Sequence, residues 1–320
     1  MRLLVTGGAG FIGSHYVRSL LAGAYPAVAD AEVVVLDLLT YAGTLTNLPD
    51  TGFSFVRGDI RDPAVVTQAM SGVDVVVHFA AESHVDRSIT GAADFVSTNV
   101  LGTQVLLQAA LEEGVSRFVH VSTDEVYGSI EHGSWPETHP LEPNSPYSAS
   151  KASSDLLARA YHRTHGLPVC ITRCSNNYGP HQFPEKVIPL FVSNLLDGKR
   201  VPLYGDGLNV RDWLHVDDHC RGIALVVEKG RDGEVYNIGG GTELTNRELT
   251  QRLVAAVGAD ESMIEPVADR AGHDRRYSVD WSKIAGELGY APRVPFEQGL
   301  ADTVAWYAAN REWWEPLKKL

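Results

Sequence analysis

A short apolar strand, a glycine-rich turn and the start of a helix are encoded in Arg2-Leu-Leu-Val-Thr-Gly-Gly-Ala-Gly-Phe-Ile-Gly13. Gly7, Gly10 and Gly13 follow the spacing G-x-x-G-x-x-G, a close variant of the more common G-x-G-x-x-G. Glycines suit this position because the backbone must turn sharply and approach a pyrophosphate closely, so that amides at the helix N-terminus bind the anion. The placement of the turn between a strand and a helix therefore predicts a dinucleotide-binding site.

The second predicted strand ends in an acidic residue, Asp37, which indicates the kind of dinucleotide. It lies 24 residues after Gly13, close to the spacing at which a carboxylate reaches the ribose hydroxyls. Its negative charge would repel a 2′-phosphate, so the sequence predicts NAD as the cofactor rather than NADP. Asp59 and Ile60 follow the third predicted strand, where we expect them to flank the adenine.

Strand and helix patterns alternate through the first half of the chain. Many strands are nearly continuous apolar runs, and such strands are buried on both faces of a parallel sheet. The predicted strands are Leu3–Thr6, Glu32–Asp37, Phe53–Arg57, Val73–Phe79, Arg117–Ser122 and Val169–Arg173. The predicted helices are Phe11–Leu21, Ala64–Met70, Asn99–Glu113 and Tyr147–His165. We therefore predict an α/β fold built on a doubly wound parallel sheet, the Rossmann fold.

The pattern changes after about Asn176, where prolines and loop residues cluster. The later predicted elements are the helices Val187–Leu196, Asp217–Glu228 and Leu300–Asn310 and the strands Val201–Tyr204 and Glu234–Asn237. We expect the last of these strands to rejoin the sheet. The prediction is a cofactor domain of residues 1–176 plus about 214–240, and a smaller, discontinuous C-terminal substrate domain of about 177–213 plus 241–320.

The composition excludes several classes of protein. The 320 residues are 44% hydrophobic and 21% charged, so a large core can be buried and bulk disorder is excluded. With 27 basic and 40 acidic residues the net charge is −13, and a field of that sign repels nucleic acid and anionic membranes. We expect neither partner, and a phosphate-bearing ligand must be held by a local group of donors.

The cysteines and the first residues favour a cytoplasmic location. The first predicted strand begins at Arg2, so we expect no signal peptide, and no apolar run approaches the roughly 18 residues of a membrane helix. Cys170, Cys174 and Cys220 are too few for a disulfide framework, and we expect them to be small core residues. The histidines lack a surrounding cluster of ligands, so we predict no metal site.

Tyr147 and Lys151 lie four residues apart on a predicted helix, which places both on one face. Free tyrosine has a pKa near 10 and is a poor base at neutral pH. A neighbouring ammonium group and a nicotinamide cation favour the phenolate, and a decrease of about three pKa units requires roughly 4 kcal/mol. We expect Tyr147 to act as the base, and Lys151 to support it and hold the nicotinamide ribose.

Two adjacent acidic residues, Asp124 and Glu125, follow a buried strand in the motif Ser122-Thr-Asp-Glu-Val-Tyr-Gly128. Together with Thr123 they lie at the edge where open sheets bind ligands. Two like charges raise the pKa of one carboxyl group, which suits that group to act as an acid. The motif therefore predicts acid–base chemistry.

These features resemble the extended short-chain dehydrogenase/reductase superfamily and, within it, the family of dTDP-glucose 4,6-dehydratases. The similarity extends over essentially the whole chain. Besides the glycine turn and the acid motif, it includes the stretches Ala80-Ala-Glu-Ser-His-Val-Asp-Arg-Ser88, Ser175-Asn-Asn-Tyr-Gly-Pro180 and Asp269-Arg-Ala-Gly-His-Asp-Arg-Arg-Tyr277. Ala271 replaces a proline usual in this family, which we expect to alter loop stiffness only. The loop Ala24–Ala31 matches no functional motif.

The resemblance implies a lyase that converts dTDP-D-glucose to the 4-keto-6-deoxy sugar nucleotide and water. Tyr147 would take the proton of the sugar 4-hydroxyl while hydride passes from C4 to NAD. Glu125 would then remove the C5 proton, Asp124 would protonate the leaving 6-hydroxyl, and Thr123 would hydrogen-bond the sugar. Hydride returns to C6, so NAD is recycled without a second substrate.

The resemblance also implies which residues bind the two ligands. Those expected to contact NAD are Gly7, Gly10, Phe11, Ile12, Gly13, Asp37, Leu38, Thr40, Asp59, Ile60, Phe79, Ala80, Ala81, Ser83, Thr98, Tyr147, Lys151 and Asn177. Those expected to contact dTDP-glucose are Ser83, Thr123, Asn176, Lys186, Val187, Pro202, Tyr204, Arg211, Asn246, Arg270, His273 and Tyr277.

Two other interpretations stay open on this evidence. A sugar-nucleotide 4-epimerase shares the glycine turn and the Tyr147/Lys151 pair but does not need Asp124 and Glu125. A sensor or scaffold protein would bind NAD without turnover. The family further implies a homodimer formed through the helices predicted at 99–113 and 147–165, and it allows the product to serve either a cell-wall sugar such as rhamnose or an antibiotic deoxysugar.

Overall fold

The computed structural model describes residues 1–269 and 273–318. Its strands, in chain order, are β1 (Arg2–Thr6), β2 (Glu32–Asp37), β3 (Phe53–Arg57), β4 (Val75–His78), β5 (Arg117–Thr123), β6 (Val169–Cys174), β7 (Asn176–Tyr178), β8 (Val201–Tyr204), β9 (Val210–His215), β10 (Val235–Ile238), β11 (Glu243–Thr245) and β12 (Ile264–Val267). Its helices are α1 (Phe11–Leu21), α2 (Pro63–Met70), α3 (Val85–Thr90), α4 (Ala92–Phe95), α5 (Thr103–Glu113), α6 (Pro146–His165), α7 (Val187–Leu196), α8 (Val216–Lys229), α9 (Asn246–Val257), α10 (Ser282–Leu288), α11 (Phe296–Ala309) and α12 (Arg311–Leu317).

Seven strands form one sheet in the order β10-β6-β5-β4-β1-β2-β3, and every neighbouring pair is parallel. Successive residues of a strand point to opposite faces, so Leu3 and Val5 enter one hydrophobic cluster and Leu4 enters the other. Side chains of α1 and α8 complete the first cluster, and those of α2, α5 and α6 complete the second. The prediction of a doubly wound parallel sheet, with a later strand that rejoins it, is confirmed.

The strand order determines where a ligand can enter. The chain passes from β1 to β2 and β3 on one side and then crosses to β4 on the other side of β1. The loops that follow β1 and β4 therefore diverge at the carboxyl edge of the sheet and open a crevice there. Gly7 turns the chain at this point with a φ of 69°, and a Cβ on it would lie 2.5 Å from the Ala80 nitrogen. The loops after β5 and β6 reach the same edge.

Two small sheets lie in the part of the chain beyond β6. One has the order β11-β9-β7, and in the other β8 pairs in parallel with β12. A third hydrophobic cluster, which includes the buried Trp213, Leu249, Phe296 and Trp314, belongs to this region. The smaller second unit is thus present, and the residue boundaries assigned to it remain a prediction.

Some predicted elements have different bounds. The helix predicted from Asn99 begins at Thr103, because residues 96–102 form a π-helical segment in which the Asn99 amide donates to Glu82 O (3.0 Å) and Ser150 Oγ (2.8 Å). The strand predicted from Val73 begins two residues later, since the Val73 amide closes a turn at the end of α2.

The C-terminal segment contains a helix that was not predicted. The helix predicted at Leu300–Asn310 begins at Phe296 and ends at Ala309, and the additional helix α12 follows it. A side-chain hydrogen bond joins α12 to α11, since Trp314 Nε1 donates to Tyr307 O (2.8 Å), and the first turn of α12 is closed by Trp313 N, which donates to Asn310 O (3.1 Å). The unassigned loop Ala24–Ala31 packs on the core through Tyr25, whose ring lies 5.0 Å from that of Tyr16.

Candidate active site

The glycine-rich turn lies between β1 and α1, and Gly10 is the N-cap of α1 without a side-chain cap. A Cβ at Gly13 would overlap the Gly7 carbonyl oxygen. A Cβ at Gly10 would meet only that same oxygen, at 3.4 Å, and would enter the cavity that Gly10 lines. Glycine therefore holds the turn close to β1 and leaves the first amides of α1 open to an anion.

Asp37 ends β2 directly beside this turn. Its Oδ2 accepts a hydrogen bond from Ala9 N (2.9 Å), and its Oδ1 accepts one from Leu39 N (2.8 Å). Burial raises the pKa of Asp37, while the two backbone hydrogen bonds oppose that shift. Asp59, beyond β3, is held by the Arg61 guanidinium (2.6 Å), whose hydrogen bonds lower the pKa of Asp59.

One cavity of about 730 Å³ lies along this edge of the sheet. Every residue that we expected to contact NAD lines it, and so do the five expected catalytic residues, from Thr123 to Lys151. An open helix N-terminus, a carboxylate at the end of β2 and a long cavity between them fit a dinucleotide. The residues present are therefore compatible with NAD.

Asp124 and Glu125 begin a short helical turn directly after β5. Asp124 is 1% exposed; its Oδ1 accepts from Thr123 Oγ1 (3.3 Å), and its Oδ2 is buried with no hydrogen-bond partner in the described part of the chain. Burial raises the pKa of Asp124 well above 3.8, and the neighbouring Glu125 and Asp212 raise it further. Burial and the neighbouring carboxylates both favour the protonated form of Asp124, and a protonated carboxyl group can act as an acid.

Glu125 lies closer to solvent than Asp124 and is oriented by α6. Its Oε2 accepts a hydrogen bond from Ser148 Oγ (3.2 Å), and its backbone amide donates to Thr123 Oγ1 (3.3 Å). The two carboxyl groups therefore differ in environment although they are adjacent in sequence. Such a difference is what an acid and a base with separate tasks require.

Lys151 lies on the buried face of α6, which begins after the cap Ser145. Its Nζ donates to Val121 O at 2.8 Å, which fixes the ammonium group beneath the end of β5. Burial lowers the pKa of Lys151 to about 8, while Asp155 opposes the shift. Most of this group is still charged at neutral pH.

Tyr147 lies one helical turn before Lys151 and lines the same cavity. Burial raises the pKa of Tyr147 well above 10, Glu125 raises it further, and a hydrogen bond with Thr123 opposes the shift. This direction is opposite to the one we expected for a tyrosine beside an ammonium group. Ionisation of Tyr147 therefore requires more positive charge than Lys151 alone provides.

A buried ion pair that sequence reasoning missed supports α6. Asp155, one turn after Lys151, accepts from Arg173 Nε (2.8 Å) and lies 3.3 Å from His120 Nε2, and all three side chains of this cluster are buried. Burial alone would raise the pKa of Asp155, but Arg173 and His120 lower it to about 2. The spacing of Tyr147, Lys151 and Asp155 at four-residue intervals was the available signal.

The residues expected to bind the sugar nucleotide fall into two groups. Ser83, Thr123, Asn176 and Lys186 line the cavity. The others do not line it and lie on or beside the small sheets, at Val187, Pro202, Tyr204, Arg211, Asn246, His273 and Tyr277. Arg270, and Ala271 beside it, lie outside the described residues.

Arg211 is a buried cation close enough to Asp124 to affect its pKa. Its guanidinium donates to the carbonyl oxygens of Val210 (2.7 Å) and Asp274 (2.9 Å) and lies 4.2 Å from the Tyr277 ring centroid. These acceptors are neutral, so the positive charge remains available to an anionic ligand. It also lowers the Asp124 pKa slightly against the larger effect of burial.

Tyr41, Arg87 and Glu185 are among the cavity-lining residues that were not expected from sequence. The Arg87 guanidinium lies 3.8 Å from the Tyr41 ring centroid, and its Nε donates to Glu185 Oε2 at 3.2 Å. They come from three distant segments, and no spacing in the sequence links them. Only Arg87 falls inside a motif that was singled out.

The described residues show neither a metal-binding cluster nor a membrane-spanning helix. Within residues 1–269 and 273–318, no group of three or more His, Cys, Asp or Glu side chains is arranged to hold a metal ion. In the same residues, no helix has the length and apolar character needed to cross a membrane. Cys170, Cys174 and Cys220 are buried and not disulfide-bonded, as predicted.

Comparison with known proteins gives a consistent result. The family model described as GDP-mannose 4,6 dehydratase matches residues 4–303. A dTDP-glucose 4,6-dehydratase of Streptomyces antibioticus is 68% identical, over 100% of this chain and 96% of its own length. A solved structure of the dTDP-glucose 4,6-dehydratase of Streptomyces venezuelae with NAD bound has a TM-score of 0.98 and 68% identity, covering 99% of this chain and 100% of that one. The UDP-glucose 4-epimerase of Thermus thermophilus in complex with NAD has a TM-score of 0.90 at 35% identity, covering 97% and 100%.

The raised pKa of Asp124 makes the stability of this protein depend on pH. Because burial raises the folded-state pKa above 3.8, the unfolded chain releases this proton at lower pH than the folded chain does. The contribution of Asp124 to the free energy of unfolding is therefore full below about pH 4 and is lost as the pH rises toward the folded-state pKa. Asp124→Asn removes that loss, so the variant should gain stability relative to the wild type as the pH rises, by about 1.4 kcal/mol per unit of pKa elevation.

Urea denaturation of both proteins at about pH 4, 6 and 8 measures this difference. Asp206→Asn is the matched control: a hydrogen bond from Arg275 lowers the pKa of the exposed Asp206, so its contribution to stability changes only below about pH 4 and its difference from the wild type should stay nearly constant at these three pH values. A constant stability difference between Asp124→Asn and the wild type at all three pH values would contradict the raised pKa.

Proposed function

The chain belongs to the GDP-mannose 4,6 dehydratase family, and we propose that it is the member that dehydrates dTDP-glucose. The reaction converts dTDP-D-glucose to dTDP-4-keto-6-deoxy-D-glucose and water, so the protein is a hydro-lyase. The relatives that share about two thirds of its sequence carry this activity in their names. The proposal depends above all on one observation, the adjacent carboxyl groups of Asp124 and Glu125 in the same cavity as Tyr147.

NAD is the cofactor of this family, and when bound it accepts a hydride from the sugar C4 and later returns it to C6. The amides at the start of α1 would hold its pyrophosphate, and Asp37 would bind a ribose. Asp37 remains positioned for this role because two backbone amides fix its orientation. Lys151 would hold the second ribose beside Tyr147.

The acid pair performs the step that distinguishes a dehydratase. Glu125 removes the C5 proton, which the adjacent 4-ketone has made acidic, and Asp124 protonates the leaving 6-hydroxyl. The burial of Asp124 supports its role as the acid, because burial raises its pKa and so favours the protonated form that must deliver the proton. Thr123 would hydrogen-bond the sugar from the same turn.

Tyr147 removes the 4-hydroxyl proton at the oxidation step. Its buried environment favours the neutral phenol, so the tyrosine gives up its own proton only when positive charge accumulates beside it. Lys151 supplies part of that charge, and its ammonium group is held in place by the hydrogen bond from Nζ to Val121 O (2.8 Å). Tyr147 and Glu125 thus act in succession on neighbouring sugar carbons.

The sugar nucleotide would bind between the two units of the chain. Lys186 lines the cavity and donates to Ser83 O at 2.8 Å, so it joins the two sides of the cavity. Arg211, whose charge acts on Asp124, is suited to a phosphate because a guanidinium group can donate two parallel hydrogen bonds to one. We assign the diphosphate to these cations together with Arg270 and His273. We also propose the predicted division into a cofactor domain of residues 1–176 plus about 214–240 and a substrate domain of about 177–213 plus 241–320.

A sugar-nucleotide 4-epimerase is the second candidate. The favouring observation is the TM-score of 0.90 to a UDP-glucose 4-epimerase, at 35% identity. Such an enzyme needs the glycine turn and Tyr147, but it has no task for a buried acid adjacent to a second carboxylate. The dehydratase is therefore the preferred function.

We also propose that the protein acts in the cytoplasm and binds no nucleic acid. Three buried cysteines without disulfide bonds suit a reducing compartment, and a net charge of −13 repels phosphate polymers.

A homodimer is proposed through the helical face next to the site. Leu101, on the π-helical segment, is 57% exposed, and Leu156, on α6, is 54% exposed. Val96 is exposed on the same segment. Large apolar side chains exposed on neighbouring helices are typical of a surface covered by a second subunit.

Activity on dTDP-glucose tests the proposed function directly. Incubation of the protein, loaded with NAD, should give a 4-keto product that absorbs ultraviolet light in alkali, a mass reduced by one water, and no net NADH. Parallel reactions with UDP- and GDP-glucose test the base, and turnover should be highest with the dTDP sugar. A product of unchanged mass would indicate the epimerase, and NAD binding without turnover would indicate a sensor or scaffold.

The acid pair is tested by the double variant Asp124→Asn with Glu125→Gln. It should lose water elimination by at least about 10²-fold, since acid and base are both removed, while some oxidation at C4 persists and is seen as NADH absorbance. Asp206→Asn, a surface acid that does not line the cavity, is the control and should retain full activity. Full turnover by the double variant would refute the roles of Asp124 and Glu125.

The dimer is tested by sedimentation of the wild type and of the double variant Leu101→Glu with Leu156→Glu. The wild type should sediment at twice the chain mass of 34.8 kDa, and the variant as a monomer, because buried unpaired charges disfavour the interface. Leu45→Glu, at an exposed leucine elsewhere, should remain dimeric. A monomeric wild type at micromolar concentration would reject this interface.

A further inference from the structure

One buried side chain, Asn47, connects the glycine-rich turn to the C-terminal helix α12. Its Nδ2 donates to Ala9 O (2.9 Å), and its Oδ1 accepts from Trp313 Nε1 (3.0 Å). Asn47 is 2% exposed, and neither it nor Trp313 lines the cavity. The two residues are separated by 266 positions in sequence.

The chemistry of the two partners fixes the orientation of this amide. An indole N–H can only donate, so the Asn47 atom that faces Trp313 must be the oxygen. The amide nitrogen then faces the Ala9 carbonyl, which can only accept. Trp313 therefore determines which end of Asn47 is presented to the turn.

Ala9 is the residue of the turn that this contact holds. Its carbonyl also accepts from Thr44 N (3.2 Å), and its own amide donates to Asp37 Oδ2 (2.9 Å). Glycines lie on both sides of Ala9 in the sequence, and glycine restricts the backbone least of all residues. The bonds to Ala9 thus supply the restraint that its neighbours lack, and they fix the turn that leads into the first amides of α1.

Aromatic packing holds Trp313 in place. The Trp313 ring lies 5.1 Å from that of Trp306 and 5.4 Å from that of His181. Arg18, on α1, donates to the backbone oxygen of Asn47. The segment around Asn47 is therefore attached to α1, to the turn and to the C-terminal helices at once.

We propose that Asn47 and Trp313 are a positioning pair for the dinucleotide turn, through which α12 contributes to NAD affinity from outside the cavity. The inference rests on the proposed function only in that the turn binds NAD. It assigns no chemical step to either residue. Loss of the pair should weaken retention of NAD and leave the chemistry of the bound enzyme unchanged.

Trp313→Phe tests the pair because it removes the N–H donor and keeps an aromatic ring. Exchange of bound NAD for labelled NAD in the holoenzyme should become about 2- to 10-fold faster, the range expected for one lost hydrogen bond. The kcat at saturating NAD should stay within about twofold of the wild type, since no group that touches the sugar is altered. Asn47→Asp, which keeps the acceptor for Trp313 but places an oxygen against Ala9 O, should accelerate exchange at least as much.

Trp314→Phe is the matched control. Its indole N–H donates to Tyr307 O (2.8 Å) and is fully buried, but it has no contact with Asn47. It should lower the melting temperature as Trp313→Phe does and leave NAD exchange unchanged. Equal exchange rates in the two tryptophan variants, or unchanged exchange in Asn47→Asp, would overturn the inference. A wild type that does not bind NAD would instead overturn the proposed function.

Discussion

The close approach of α1 to the backbone that precedes it is the constraint on which the site depends. No side chain can stand at Gly13, because a Cβ there would overlap the Gly7 carbonyl oxygen. The helix therefore begins directly over the end of β1, and its first amides face the crevice between the loops that follow β1 and β4. Asp37, Ala9 and Asn47 then join this turn to β2 and to α12 by hydrogen bonds.

Electrostatics explains how an acidic chain can hold two diphosphate ligands. A net charge of −13 repels polyanions at long range, but the turn offers neutral backbone amides rather than cations. Lys186 and Arg211 supply positive charge only where the second ligand is proposed to bind. The local surroundings also make the two acids different. Burial raises the pKa of Asp124 and favours its protonated form, whereas Glu125 accepts a hydrogen bond from Ser148 and lies nearer to solvent.

The two carboxyl groups and the tyrosine form one unit with the helix that carries Lys151. The Asp155–Arg173 pair is buried beneath α6, and breaking either partner would leave an uncompensated buried charge. This ion pair fixes the position of α6 against the sheet, while Tyr147 on the same helix lines the cavity. A redox-neutral reaction that acts in turn on three sugar carbons requires such a rigid arrangement.

Short-range patterns in the sequence were sufficient to predict many features of the fold and of the site. The glycine turn, the apolar strands, Asp37, the acid pair and the Tyr147/Lys151 spacing could all be read from the sequence, because each is a short-range regularity tied to one backbone geometry. The π-helical segment and α12 could not, since they make contacts outside their own sequence neighbourhood, with Glu82 and Asn47 respectively. The raised pKa of Tyr147, the Asp155–Arg173 pair and the Asn47–Trp313 contact were decided only by tertiary structure. Burial and hydrogen bonds between residues far apart in the chain arise from packing, and no spacing along the sequence records them.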